Sequence, residues 1–204
     1  LIIMLTGFQF MGYEKRLSAT RIEAFRFFTV DSNVLAGIVS ACMAVYEIRA
    51  LKGLRQDIPK AVYAFKLIAA VGIGLTFFTV ALFLAPGVED GYFSLFKNSN
   101  LFFHLLVPLA GMISFAFFEG TDKLRFPVVF AGMIPMVIYG IFYSVNLIVH
   151  MEGGTVSGKY DWYNFLAGGI QTAPVVILII FAMTFLISWL LWLINRKIYK
   201  RSIK

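Results

Sequence analysis

Thr29 and His104 are two polar residues at matching depths in two apolar runs of the chain. Thr29 opens the run Thr29–Ile48, inside Arg26-Phe27-Phe28-Thr29-Val30-Asp31-Ser32-Asn33. His104 stands one to two turns into the run Asn98–Phe118, inside Asn100-Leu101-Phe102-Phe103-His104-Leu105-Leu106-Val107-Pro108. A hydroxyl and an imidazole at one depth are the minimum parts of a nucleophile and its general base. Helical spacing groups further residues with them. Asn33 follows Thr29 by four residues and shares its face; Asn100, His104 and Pro108 line one face of their own helix. From Asn98 to His104 the rise is about 9 Å, a depth that suits the carbonyl region of a lipid.

These residues need elements that hold them inside a membrane. The 204 residues are 60% hydrophobic, 17% aromatic and 14% charged, with mean hydropathy +0.83. A soluble domain of this length does not carry so much apolar surface, so the bilayer is the solvent. A helix that crosses it needs roughly 20 mostly apolar residues. Five runs qualify, Thr29–Ile48, Val62–Leu84, Asn98–Phe118, Phe126–Val149 and Pro174–Ile194. Leu1–Met11 is about half a span and reads as the end of a first helix, trimmed upstream, which brings the expectation to six. Pro59, Pro86-Gly87 and Gly153-Gly154 punctuate the connections. The runs lack the period-2 alternation of a membrane barrel. The fold expected is an all-α polytopic helical bundle, residues 1–204 forming one integral membrane domain.

The net charge of +7 does not point to nucleic acid, because the basic residues flank apolar runs as membrane anchors do. One cysteine, Cys42, excludes an intramolecular disulfide, and two histidines with one cysteine do not make a structural zinc site. No metal or other cofactor is expected. Arg49, Lys52, Arg55, Lys60 and Lys66, then Lys123 and Arg125, then Arg196, Lys197, Lys200, Arg201 and Lys204 fall on one side, making 12 of the 18 basic residues. Lys15, Arg16, Arg21, Arg26, Lys97 and Lys159 fall on the other. The positive-inside rule then sets the C-terminus in the cytoplasm.

Alternation of the spans gathers Thr29, Asp31, Ser32 and Asn33, then Asn98, Asn100 and His104, then Asn146 and His150, on a single membrane face. Tyr160-Asp161-Trp162-Tyr163-Asn164 and Gln171-Thr172 close this cluster. The opposite halves of the spans read as poorer in such groups. Intramembrane polar groups usually face a bundle interior or a wet cavity. Each residue also has a plain structural role open to it. Thr29 suits a helix N-cap, Asp31 a first-turn acid, His104 a packing histidine bonded across helices, and His150 and Trp162-Tyr163 the interfacial belt. Gly72, Gly74 and Gly111 suit close helix contact, and Pro108 and Pro135 suit kinks.

Taken together, the chain resembles the androgen-induced and androgen-dependent multi-pass threonine hydrolases and their bacterial six-helix relatives. The resemblance rests on Phe27-Phe28-Thr29 before an apolar helix, on Asn100 to Pro108 around His104, and on Trp162-Tyr163-Asn164-Phe165-Leu166 before the last span. Span number and order agree with it over nearly the whole chain. Asp31 and Pro108 each stand one place earlier than in the animal members, and the histidine segment has a single His. Members with known activity hydrolyse fatty acid esters of hydroxy fatty acids with an intramembrane Thr and His, so the resemblance implies Thr29 as nucleophile and His104 as base. Asn33, Asn100, Asn146 and Tyr163 are the candidate oxyanion donors. Asp31 is the candidate orienting acid, although two residues from Thr29 on a helix is a rotation of about 200°. A pocket lined by Phe27, Phe28, Phe102, Phe103 and Pro108 is expected to hold acyl chains, and Phe28, Phe103, Pro108 and Trp162 are the candidate substrate-binding residues. The expected partners are a lipid or fatty-acid ester and membrane lipids, with no nucleic acid. A lipid-binding or transport protein without chemistry, or a structural membrane subunit, can use the same cluster.

Overall fold

A computed structural model describes residues 21–54 and 57–202, and the expected half-span Leu1–Met11 lies outside them. Five helices among the described residues are long and apolar enough to cross a membrane: α1 (Phe28–Leu51), α2 (Lys60–Gly87), α3 (Ser99–Phe118), α4 (Val128–Val149) and α5 (Ile170–Arg201). They coincide with the five apolar runs of the sequence to within four residues at each end, except that α5 continues seven residues past Ile194, to Arg201. The protein is an all-α polytopic bundle and an integral membrane protein. Three of its connections are short, and the longer fourth, residues 150–169 between α4 and α5, carries an isolated bridge between Glu152 and Thr155.

The bundle is arranged around α2. Its apolar window is 56% buried, against 22–33% for the other four helices, so α2 is the helix that the others cover. Between lipid tails and leucine side chains there is no hydrophobic preference, so helices associate in a membrane through close packing and hydrogen bonds. α2 supplies the small residues this needs. A Cβ on Gly72 would stand 3.2 Å from Ser32 Cβ of α1, and a Cβ on Gly111 of α3 would meet Ile73 Cδ1. Ser32 and Thr76 hydroxyls hydrogen-bond at 3.1 Å across the first of these contacts. Ala36, Val39, Ala69 and Ile73 form one buried cluster between α1 and α2; Leu67, Val71, Leu75, Phe115, Met136, Ile187 and Leu191 form another among α2 to α5. The outer faces carry exposed Ile138, Ile141, Ile148, Leu178 and Leu190, as helices facing lipid do.

Three helices depart from regular α geometry: α4 is interrupted by a turn at Gly132–Met133, just before Pro135, and α3 and α2 widen. α3 widens to i→i+5 bonding at Phe102–Leu106 and again at Ser114–Phe118. Pro108 lacks an N–H, and in a regular helix its ring would clash with the carbonyl of His104 four residues back; the first wide turn removes that clash. The second wide turn ends with Glu119 N–H bonded to the Ser114 carbonyl at 3.1 Å, which leaves carbonyls near it without helical donors. Asn195 of α5 serves them. Its Nδ2 donates to the Phe115 carbonyl at 2.6 Å and the Glu119 carbonyl at 2.9 Å, while its Oδ1 accepts from Thr121 N–H at 3.2 Å. α2 widens at Val80–Leu84, just before Pro86.

One correction concerns the half of the bundle opposite Thr29, read from the sequence as poor in polar groups. It buries Lys66, Glu119, Thr121 and Asn195. Lys66, counted with the basic loop, is 6% exposed and forms an ion pair with Glu119 at 3.0 Å.

Asn195 stitches α3 to α5, so Asn195→Leu should lower stability by about 1–3 kcal/mol, the range for leaving buried polar groups without a partner. Thermal unfolding of the purified protein in detergent measures this. A substitution that leaves the midpoint unchanged would show that the second wide turn is held by packing alone.

Candidate functional site

The segment that carries Thr29 begins α1 without any cap of its own. Phe27 occupies the N-cap position with extended backbone and makes no side-chain cap bond, and Thr29 lies inside the helix. The N-cap role open to Thr29 in the sequence is therefore not the one it has. The missing acceptor comes from far along the chain: Tyr163 hydroxyl oxygen accepts the Phe28 N–H at 2.9 Å, 135 residues away. A helix N-terminus has donors with no intrahelical partner, and in an apolar setting another group must take them.

The loop that delivers Tyr163 is organised by Asp161. Asp161 Oδ1 accepts from the Tyr143 hydroxyl and from Phe165 N–H at 2.9 Å, and Oδ2 accepts from Leu166 N–H at 3.0 Å. The Tyr143 oxygen in turn accepts Tyr163 N–H at 3.3 Å. Trp162 Nε1 donates to the Tyr139 hydroxyl at 3.0 Å, which donates to the Arg26 carbonyl at 2.5 Å. Phe27 lies edge-on to both Trp162 and Tyr163, with ring centroids 6.5 and 6.1 Å apart. Asn146 Nδ2 donates to the Tyr160 carbonyl at 2.7 Å, and His150 stacks on Tyr160 at 3.5 Å. An aromatic clamp thus pins Arg26, Phe27 and Phe28 against α4 and the loop before α5. Burial pushes the Tyr163 hydroxyl up to about 12, so it remains protonated over the whole physiological range.

Tyr139 and Tyr143 were not picked out from the sequence, and Asp161 only as a member of the loop that closes the cluster; all three organise the site. A signal was available. Tyr139 and Tyr143 are four apart in one span, hence on one face, and a buried tyrosine hydroxyl usually finds a polar partner.

Thr29 lies on the wall of a cavity of about 560 Å³ between α1, α2, α4 and α5. Its lining is mostly apolar, with Phe28, Met136, Val137, Leu166 and Phe181 among the walls. Polar groups come from Thr29, Thr76, Thr79, Ser144 and the three tyrosines Tyr139, Tyr143 and Tyr163. Exposed Ile141, Val145, Ile148 and Ile177 are at its margin, so it opens sideways toward the lipid.

The Thr29 and His104 segments meet through Asn33. Asn33 is fully buried, and its Nδ2 donates to the Thr29 carbonyl at 2.7 Å and, more weakly, to the Phe103 carbonyl at 3.4 Å. Asn33 therefore bonds to backbone on both sides, and its Oδ1 has no hydrogen-bond partner among the described residues. His104 follows Phe103 within the first wide turn of α3. Its Nδ1 is 2.8 Å from the Leu95 carbonyl. A carbonyl accepts only, so that contact is made by an Nδ1–H, and Nε2 keeps its lone pair.

The side chains themselves are apart. No hydrogen bond joins Thr29 Oγ1 to His104 among the described residues, and His104 is not on the wall of the Thr29 cavity. The single acyl pocket expected from Phe27, Phe28, Phe102, Phe103 and Pro108 is likewise divided. Phe28 lines the Thr29 cavity, Phe102 lines a second cavity on the other side of α1, Phe103 and Pro108 are packed in the interior, and Phe27 is in the clamp. The reason is the direction of the side chains around α3: widening its turn at Phe102–Leu106 turns successive residues to different neighbours. Trp162 belongs to the clamp, and Asp31, Asn100 and Asn146 line neither cavity.

Tyr163→Phe removes the acceptor at the start of α1. It should lower stability by about 1 kcal/mol, as loss of a helix cap does. In the native protein this hydroxyl ionises near 12 rather than near 10, so its contribution is complete below pH 10 and fades as pH rises toward 12. Melting curves from pH 8 to 12 should fall less steeply for the variant than for the native protein; parallel curves would remove Tyr163 from this role. Comparison with protein-family models, with characterised proteins and with solved structures finds no match to this chain.

Proposed function

We propose that this membrane protein hydrolyses lipid esters of the class in which a fatty acid is joined to a hydroxy fatty acid, with Thr29 as nucleophile and His104 as its base. The observation that carries the reading is the position of Thr29, a hydroxyl on the wall of an apolar cavity open to lipid, tied by Asn33 to the backbone beside His104. The resemblance of the Thr29, His104 and Trp162-Tyr163 segments to the threonine hydrolases supports the same assignment. The cavity volume is within the range that encloses a small hydrophobic ligand.

The chemistry runs in two halves. His104 Nε2 takes the proton of Thr29 Oγ1 as that oxygen bonds to the ester carbonyl carbon. The tetrahedral oxyanion collapses, the carbon–oxygen bond to the hydroxy acid breaks, and the proton goes from His104 to the leaving alkoxide. Water then attacks the acyl-threonine with His104 again as base, releasing the fatty acid. The Leu95 carbonyl plays the orienting part that a buried acid plays in a triad, keeping the proton on Nδ1. Tyr163, protonated and on the wall beside Thr29, is the donor best placed for the oxyanion. Transfer requires His104 to come within about 3 Å of Thr29 in the ester-bound state; catalytic hydrogen bonds commonly tighten only there. The basic flanks put the C-terminus on the cytoplasmic side in this reading.

The separation of Thr29 and His104 favours a second reading, in which the cavity binds a lipid without chemistry. Turnover of a fluorogenic hydroxy-fatty-acid ester by the purified protein separates the two. Thr29→Ala and His104→Ala should each lower kcat by about 10²–10⁴-fold, the double variant should be no worse than either, and Thr29→Ser should retain turnover. Native protein that binds the ester and never cleaves it, or alanine variants that cleave it as fast as the native protein, would leave the lipid-binding reading.

A further inference from the structure

We propose that a second cavity, between α1, α2 and α3, is a binding site for an amphiphile with a protonated amine head and an apolar tail. It has a volume of about 930 Å³ and contains none of the Thr29 cavity's lining residues. Its walls are apolar or small along α1 and α3, from Ala36, Gly37, Met43, Phe102, Leu106 and Ala110. One end is polar, with Ser40, Glu47, Lys66, Ser114 and Glu119.

The charges at that end select the head group. Lys66 is already committed: its Nζ bonds Glu119 Oε1 at 3.0 Å and Ser40 Oγ at 3.0 Å. Ser114 Oγ donates to the same Glu119 oxygen at 2.5 Å, while Glu119 Oε2 has no hydrogen-bond partner among the described residues. Glu47 lines the cavity and is in no ion pair among the described residues. Two carboxylates and one ammonium leave one negative charge uncompensated. Of the three helices that wall the cavity, α1 and α3 end near this level and α2 begins there, so two negative helix ends and one positive end border it. A cation with hydrogen-bond donors fits this field; a carboxylate or phosphate does not.

The cavity also borders the irregular parts of α3. Both wide turns of α3 contribute to it, Phe102 and Leu106 from the first and Ser114 and Phe118 from the second. Such turns inside helices occur frequently at functional sites. An ionisable pair at this depth is costly to bury and marks a functional site by default.

The test uses the full-length protein in nanodiscs and a diazirine-bearing long-chain primary amine, with the matching carboxylic acid and methyl ester as comparators. Crosslinks are mapped by mass spectrometry. The amine should label residues 36–47 and 102–110 more strongly than either comparator. Glu47→Gln, an exposed position whose change spares the fold, should weaken amine labelling by about tenfold, the effect of losing one charge-assisted hydrogen bond. The double variant Lys66→Met with Glu119→Leu removes the buried pair without leaving a lone charge and should also reduce labelling, with its melting temperature as the check on folding. Equal labelling by the acid or the ester, labelling confined to the Thr29 cavity, or amine labelling unchanged in Glu47→Gln would each overturn the proposal.

Discussion

In hydrocarbon, a backbone or side-chain polar group that lacks a protein partner has no water to replace it. Much of this bundle follows from that constraint. The first turn of α1 has no local cap and takes an acceptor from Tyr163. The second wide turn of α3 leaves carbonyls unserved, and Asn195 takes them. Irregular backbone at membrane depth is tolerated only where another group completes it, and the start of α1 and the second wide turn of α3 each lock two distant segments together in this way. The same bonds that satisfy a broken helix also set where α5 and the loop before it must lie.

This coupling places the aromatic clamp and the Thr29 cavity in one unit. Asp161 fixes the loop, the loop positions Tyr163, and Tyr163 caps the helix that carries Thr29. Tyr139 and Tyr143 of α4 join the same network and also line the cavity. The groups that hold the fold at this end are therefore the groups a bound lipid would meet. At the other end, the Lys66–Glu119 pair has the corresponding double place, buried between helices and bordering a cavity.

The spans were legible in the sequence because their signal is local: about 20 apolar residues in a row suffice, whatever their neighbours. So was the convergence of the Thr29 segment, the His104 segment and the Tyr160–Leu166 loop on one end, since alternation of short-looped spans dictates it. Asn33 was legible as a same-face neighbour of Thr29, and it bonds the Thr29 carbonyl as that spacing implies.

Rotation about each helix axis was decided only in the tertiary structure. Composition and hydropathy place a residue at a depth, and depth alone put Thr29 beside His104. Which side of α3 faces which neighbour depends on Pro108 and the wide turn before it, and on the small residues that let α1, α2 and α3 approach. Those contacts turn Thr29 toward α4 and α5, and Phe102 toward the opposite cavity. Lys66 and Glu119 lie 53 residues apart in the chain, and nothing near either announces the other. The sequence determined which segments enter the membrane and at what level their polar residues stop; packing around α2 determined which of those residues share a cavity, because an interhelical contact depends on two surfaces and a sequence window contains one.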